Sequence, residues 1–362
     1  MKLSRVLIII VVIVVIGIVA LYVYETLLAP GPSGSPEWMV APEYPLNVSG
    51  SYGVGGQQCV NSSSYIYCVG GADADNVPRD DVYSSNSLSS SFTLTSWTTD
   101  PNVYPKDISS PSCVVFSSNI YCVGGIDDDN LDDSASTYYA SLSSGVVGTW
   151  YPTTSYPIPV DTESCVASSG YIYCVGGNNQ TSGLAVNATN STSVWFAPLS
   201  SSGIGNWTIT NEYPTGVLYP ICYAALGYIY CLGGVLTNSN PANTIYYAAL
   251  SATGVGSWMQ TTTYPMAVSG QACVIVSSVI YCVGGQGNGD TYTNAVYYAT
   301  VSSSGISAWK SGATYTDSAV TDCAVIAGTM YCVGGFISNP PMVTGDVNYA
   351  SLSGIVGATT TT

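Results

Sequence analysis

The residues with types and spacing suited to chemistry are twelve cysteines, two runs of aspartate and a set of asparagine sequons; histidine is absent. Every cysteine has a partner nine positions away: Cys59/Cys68, Cys113/Cys122, Cys165/Cys174, Cys222/Cys231, Cys273/Cys282 and Cys323/Cys332. Paired cysteines read either as metal ligands or as disulfides. Without an imidazole, and with a separation unlike the short Cys-x2-Cys of zinc sites, the metal reading loses its ligands. The midpoints of the pairs fall on Ser169-Gly170, Leu226-Gly227 and Ala327-Gly328, and on Ser-Ser in the other three. Two-residue loops of this kind suit tight hairpins, where the primed turns need positive φ. Counted outward from such a loop, the cysteines form the fourth facing pair, a non-hydrogen-bonded one with Cα atoms at ~4.5 Å, within reach of a disulfide. Six hairpin disulfides are therefore expected, each stabilising by about 2–3 kcal/mol through its short loop.

The acids form two groups. Asp73, Asp75, Asp80 and Asp81 follow the first Cys pair, and Asp127, Asp128, Asp129, Asp132 and Asp133 follow the second. Calcium takes six to eight oxygens and uses clustered Asp, so these nine are calcium candidates, although no known calcium-loop spacing fits them. The alternative is a set of solvated loop residues. Calcium is the one cofactor the residues suggest. Six Asn-x-Ser/Thr sequons occur, at Asn47, Asn61, Asn179, Asn187, Asn190 and Asn206, and mark candidate glycosylation sites.

Other chemistry is closed off by composition. Lack of histidine removes Ser-His-Asp and Cys-His catalysis and most catalytic zinc sites. Beyond the N-terminal apolar run the chain carries 21 acids against Arg79, Lys106 and Lys310, a balance that repels phosphate backbones and excludes nucleic acid as a partner. The same shortage of arginine argues against a sialidase. Composition leaves room for a glycosidase built on two carboxylates, yet no spacing singles out such a pair. The chain is read as non-enzymatic.

The elements that position these residues repeat. Each second cysteine is followed by Val or Leu and then Gly-Gly, and the first glycine recurs at 70, 124, 176, 233, 284 and 334, steps of 50 to 57 residues. After a variable loop comes a strand around Val82-Tyr83, Tyr138-Tyr139, Val194-Trp195, Tyr246-Tyr247, Tyr297-Tyr298 or Asn348-Tyr349. Trp97, Trp150, Trp207, Trp258 and Trp309 follow, each with a Tyr six or seven residues on. A unit of Cys, Gly-Gly, Tyr and Trp strands is a four-stranded blade. The sixth unit lacks its Trp strand, whereas Trp38 with Tyr44 stands before the first unit with no Tyr strand of its own. The expected fold is thus all-β, a six-bladed β-propeller of four-stranded blades whose N-terminal strand completes the last blade. In such blades the loops after each Gly-Gly and the blade-to-blade connections share one face, so the two acidic groups are expected to form one negative patch.

The Gly-Gly of the second strand, the Tyr of the third and the Trp of the fourth make the units resemble kelch repeats, the propeller type of galactose oxidase, over residues 38–357. The departures are a Cys at the usual basic and His positions of the first strand and a Tyr-to-Trp gap of 11 to 14 residues. The resemblance implies fold alone, because this architecture serves oxidases, scaffolds and adhesive proteins alike. Galactose-oxidase-like copper chemistry, which needs two imidazoles, is excluded.

The start of the chain is a membrane signal. Val6 to Val23 is an 18-residue run without charged or amide side chains, preceded by Lys2 and Arg5. This predicts a cytoplasmic end at 1–5, a transmembrane helix at 6–24, a linker at 25–37, the propeller at 38–357 outside the cell, and a Thr tail at 358–362. A cleaved secretory signal is the competing reading; the run exceeds a typical signal core and no clear cleavage site follows. The expected function is a membrane-anchored extracellular recognition propeller that binds a protein or glycan. The alternative is a structural surface protein that associates with itself into a layer.

Overall fold

The structure, a computed structural model, describes residues 38–45, 47–48, 51–86, 94–127, 132–178, 190–289, 291–316, 320–337 and 342–357. The expected transmembrane helix 6–24, linker 25–37 and tail 358–362 lie outside the described residues, as do Asp128, Asp129, Asn179 and Asn187. Among the described residues no helix is long and apolar enough to cross a membrane.

The hairpins form where the two-residue loops predict them. In the third blade Ser164–Ser168 pairs with Tyr171–Val175, and Cys165 faces Cys174. Ser169 and Gly170 have φ of 50° and 84°, the doubly positive signature of a type I′ turn. Leu226-Gly227, Ala327-Gly328, Ser117-Ser118 and Ser277-Ser278 repeat it. The second strands read as unbroken apolar runs, such as Tyr-Ile-Tyr-Cys-Val at 171–175, because a neighbouring blade covers each of their faces.

Each cysteine bonds to the partner its spacing predicts: Cys59 to Cys68, Cys113 to Cys122, Cys165 to Cys174, Cys222 to Cys231, Cys273 to Cys282 and Cys323 to Cys332, with Cα separations of 4.0 to 4.1 Å. The bonds lie deep in the fold. Cys68, Cys122, Cys174, Cys231, Cys282 and Cys332 on the second strands are all 0% exposed, and their partners on the first strands are buried too. No cysteine is free. The second-strand sulfurs lie inside the seams between blades, where a solution thiol or a ligand has no path to them. The cysteines are therefore oxidised cross-links of the hairpins, with no free thiol to react.

The third strand, Val194–Ser200 in this blade, turns into an outer strand that pairs in two pieces. Leu199 faces Ile204 and Phe196 faces Thr208, so two residues on one strand lie opposite three on the other: a β-bulge at Gly205, Asn206 and Trp207. The bulge recurs at Trp150, Trp258 and Trp309. It accounts for the long Tyr-to-Trp gap and turns each indole toward the preceding blade. There a Tyr of the blade connection meets it edge-on: Tyr104 on Trp150, Tyr156 on Trp207, Tyr213 on Trp258 and Tyr264 on Trp309, all at 4.9 Å between centroids.

The ring closes as the phase of the repeats demands. Met39–Ala41 pairs antiparallel with Val343–Ser351 as the outermost strand of the sixth blade. Trp38 meets Tyr315 edge-on at 4.7 Å and its indole N–H donates to the Ala313 carbonyl at 3.3 Å, so this Tyr–Trp pair ties the N-terminal strand to the connection between the fifth and sixth blades. After this third strand the chain does not turn into a hairpin. It forms a short helix, Leu352–Gly357, unforeseen in the sequence, that buries Leu352 and Ile355 and receives the Ala313 N–H at the Ile355 carbonyl.

The core consists of six apolar clusters, one at each seam between blades. Gly-Gly makes the seams close. The N–H of the second glycine donates across the seam, as from Gly71 to Ile108, Gly125 to Val160 and Gly177 to Val217. A Cβ on the first glycine would stand 2.4 to 2.7 Å from the same carbonyl oxygens at Gly70, Gly124 and Gly176. Both glycines adopt positive φ, 71° and 94° at Gly176 and Gly177, so no other residue fits. The fold is a six-bladed β-propeller of antiparallel four-stranded blades.

Candidate functional site: the central channel and its mouth

The first strands of the six blades stand side by side around the axis and enclose a channel of about 970 Å³. Their inner edges would leave backbone N–H groups unpaired, and side chains from the preceding blade cap several of them. The Cys165 N–H donates to Ser112 Oγ at 2.8 Å, that of Cys222 to Ser164 Oγ at 3.0 Å, and that of Cys273 to the Tyr223 hydroxyl at 3.1 Å. Asp322 does this across the closing seam. Its carboxylate accepts from the N–H groups of Cys59 and Cys323 and from the Gln58 amide. Burial outweighs those donors and pushes the Asp322 carboxyl up to about 6.

Blade-to-blade connections form one rim of the channel. Five of them place a residue in left-handed backbone three positions ahead of the first cysteine: Gly56 (φ 68°), Ser110 (52°), Thr162 (57°), Tyr219 (50°) and Gly270 (63°). Glycine adopts this conformation freely, whereas Thr and Tyr do so at a cost of order 1–3 kcal/mol. Tyr219 is 43% exposed at the rim, and its N–H donates to the Thr162 carbonyl at 3.0 Å. Thr162 is buried, and its hydroxyl has no partner. Beside it lie two buried acids. Asp161 is pushed up to about 7 by burial and by Asp133, against a hydrogen bond from Asn178. Glu163 is raised well above the ordinary carboxyl range, chiefly by burial, with Asp161 and Asp133 adding to it.

The acidic loops share one face, as expected. Ile108–Ser109, leading into the second blade, pairs with Ile126–Asp127 and bridges to Arg79 of the first-blade loop. Several of these acids hold the loops together. Buried Asp73 accepts from the N–H groups of Asp75 and Val77 at 2.9 and 3.1 Å and pairs with Arg79 at 3.8 Å. Arg79 also meets Asp81 at 3.4 Å, and Lys106 meets Asp127 at 2.9 Å. Asp80 and Asp132 lend their backbone carbonyls to Tyr104 and Asp127, and Asp133 bridges to Ile126. Among the described residues no group of three His, Cys, Asp or Glu side chains is arranged to hold a metal ion. Of the sequons, Asn61 and Asn206 are exposed, Asn190 donates its amide to the Val235 carbonyl at 2.7 Å, and Asn47 begins a two-residue strand.

Sequence reasoning passed over Asp161, Glu163 and Asp322, the acids with displaced titration, in favour of the denser runs. A usable signal was present: Gln57, Glu163 and Gln271 stand two residues ahead of the first cysteine in alternate blades, where the second and fourth blades have Pro111 and Pro220.

No family model and no curated relative matches the sequence. Among solved structures, that of YjhT superposes with a TM-score of 0.65 at 12% identity, covering 85% of this chain and 96% of that one. At this identity the likeness is one of fold: the chain belongs to the architectural class of six-bladed β-propellers.

Proposed function

We propose that the chain is a kelch-like recognition propeller, displayed outside the cell by its 6–24 segment, which binds a protein or glycan without chemical turnover. The observation that carries this reading is Tyr219, a bulky residue kept in left-handed backbone, half-exposed at the mouth of the channel. Strain retained at a rim is a mark of a functional position. Two of the three cations beyond the apolar run, Arg79 and Lys106, are committed to acids. The surroundings therefore favour neutral or cationic ligands. With no histidine and every cysteine bonded, the Ser-His-Asp and Cys-His constellations have no members here. The test is binding of the purified protein to a printed glycan array and to intact cell surfaces, with Tyr219→Ala alongside. Saturable binding that the variant loses supports the reading; binding indifferent to Tyr219, or absent from both surfaces, refutes it.

A second reading rests on the outer edge of the ring. Met39, Val40, Tyr151, Ile209 and Met259 are exposed on the short outermost strands of the sixth, second, third and fourth blades, surface suited to self-association. Concentration-dependent light scattering distinguishes the two: a persistent monomer favours recognition, and assembly favours a surface layer, with calcium dependence pointing to the acidic loops.

A further inference from the structure

Two residues ahead of the first cysteine, the first, third and fifth blades carry Gln57, Glu163 and Gln271. All three are buried, at 7%, 6% and 0% exposure. Each reaches across its seam to the first glycine of the preceding blade's Gly-Gly. A Cβ placed on Gly334 would lie 3.0 Å from Gln57 Nε2, one on Gly233 2.7 Å from Gln271 Nε2, and one on Gly124 2.6 Å from Glu163 Oε1. Glu163 therefore occupies the slot that the other two blades fill with an amide.

The Gln271 amide has no hydrogen-bond partner, whereas Gln57 shows a bond that the slot allows. The Gln57 amide nitrogen donates to the Val333 carbonyl at 2.6 Å, immediately before Gly334. The residue in the same place before Gly124 is Val123, fully buried. An ionised carboxylate cannot donate there, and neither Glu163 carboxyl oxygen receives a hydrogen bond of ordinary geometry; the residue's own N–H gives it only partial relief. An ion so buried and unpaired is costly. No cation among the described residues acts on it. The charged or titratable groups that face it are Asp161 and Asp133 along the rim and the phenols of Tyr104 and Tyr156 in the flanking connections.

We infer that Glu163 is held as a neutral acid that donates its carboxyl proton to the Val123 carbonyl, making the seam between the second and third blades a joint that a proton tightens. When the proton leaves, a carboxylate is set against a carbonyl dipole and beside Asp161, and the seam loosens. Burial and the two neighbouring acids act in the same direction, holding the proton to higher pH.

The folded state then binds a proton that the unfolded chain has released above about pH 4.5, the ordinary glutamate value. The folding equilibrium constant falls up to about tenfold for each pH unit above that value. Two measurements test this. Denaturant titrations of the protein and of Glu163→Gln between pH 4 and 8 are expected to show the variant gaining on the native protein by up to about tenfold per pH unit. Parallel profiles overturn the proposal. The chain has five glutamates, so 13C labelling of their carboxyl groups gives a readable NMR spectrum of the native protein even where the variant fails to fold. One resonance at the protonated position at pH 6 is expected; five carboxylates at that pH overturn it.

Discussion

The N-terminal strand is held by few residues, and Trp38 is the one whose loss opens the ring. It is 4% exposed, packed edge-on against Tyr315 at 4.7 Å, with its indole N–H on the Ala313 carbonyl. Truncating a buried Trp to Ala costs about 3–5 kcal/mol. Within that, the aromatic pair supplies about 1 kcal/mol and the hydrogen bond about 1 kcal/mol. Trp38→Ala is therefore expected to lower stability by about 4 kcal/mol in urea denaturation. A double-mutant cycle with Tyr315→Leu should return a coupling of about 1 kcal/mol. The location of the damage is the sharper readout. In the native ladder Met39, Val40 and Ala41 face Tyr349, Asn348 and Val347. Those amides should exchange faster with deuterium in Trp38→Ala. They should remain protected in Trp207→Ala, whose pair at 4.9 Å lies within a continuous blade. A loss under about 1 kcal/mol, or unchanged exchange at 39–41 and 347–349, would refute the idea that this strand closes the ring.

Other outcomes follow from the same geometry. Gly176→Ala puts a Cβ 2.7 Å from the Val217 carbonyl at φ 71°, and should destabilise by more than about 2 kcal/mol in thermal unfolding. Replacing Cys165 and Cys174 together by Ser should cost about 2–3 kcal/mol while leaving the circular dichroism spectrum unchanged, since the hairpin turn remains. Asp161 titrates at about 7 and Asp322 at about 6 in the folded state, against 3.8 ordinarily. Because these folded values are raised, stability is greatest below about pH 4 and declines as pH rises through 6 and 7, by up to about 1.4 kcal/mol per unit for each group. Denaturation midpoints that instead climb from pH 4 to 7 would contradict this, and Asp161→Asn should flatten the slope.

Fold was legible because repetition writes it into the sequence. The nine-residue Cys separation fixes a hairpin register, and the Trp missing from the sixth repeat, with Trp38 to spare at the other end, fixes how the ring closes. Less legible was whatever depends on the neighbouring blade. The pairing of Cys68, Cys122, Cys174, Cys231, Cys282 and Cys332 could be counted from the turns, but their complete burial comes from the blade packed against each hairpin. Gly-Gly marks a strand end in sequence, yet its reason is a carbonyl such as that of Val217, 41 positions beyond Gly176. The bulge at Trp207 could be sensed only as an overlong gap. The site was harder still. Runs of Asp draw attention, but Asp73, Asp81 and Asp127 bond to neighbours within the acidic face. Glu163 and Asp322, outside the dense acidic runs, meet low-dielectric seams that only the folded ring creates.

The proposal of an oxidised, membrane-anchored propeller is tested most directly by the intact mass of the chain from a membrane fraction, taken in denaturant with a thiol-alkylating reagent, before and after reduction. No adduct before reduction and twelve after, on a chain that still begins at the Met1–Arg5 segment, is the predicted result. Adducts before reduction would place the cysteines in a reducing compartment and contradict the six hairpin disulfides; a mass lacking the first apolar run would contradict the anchor.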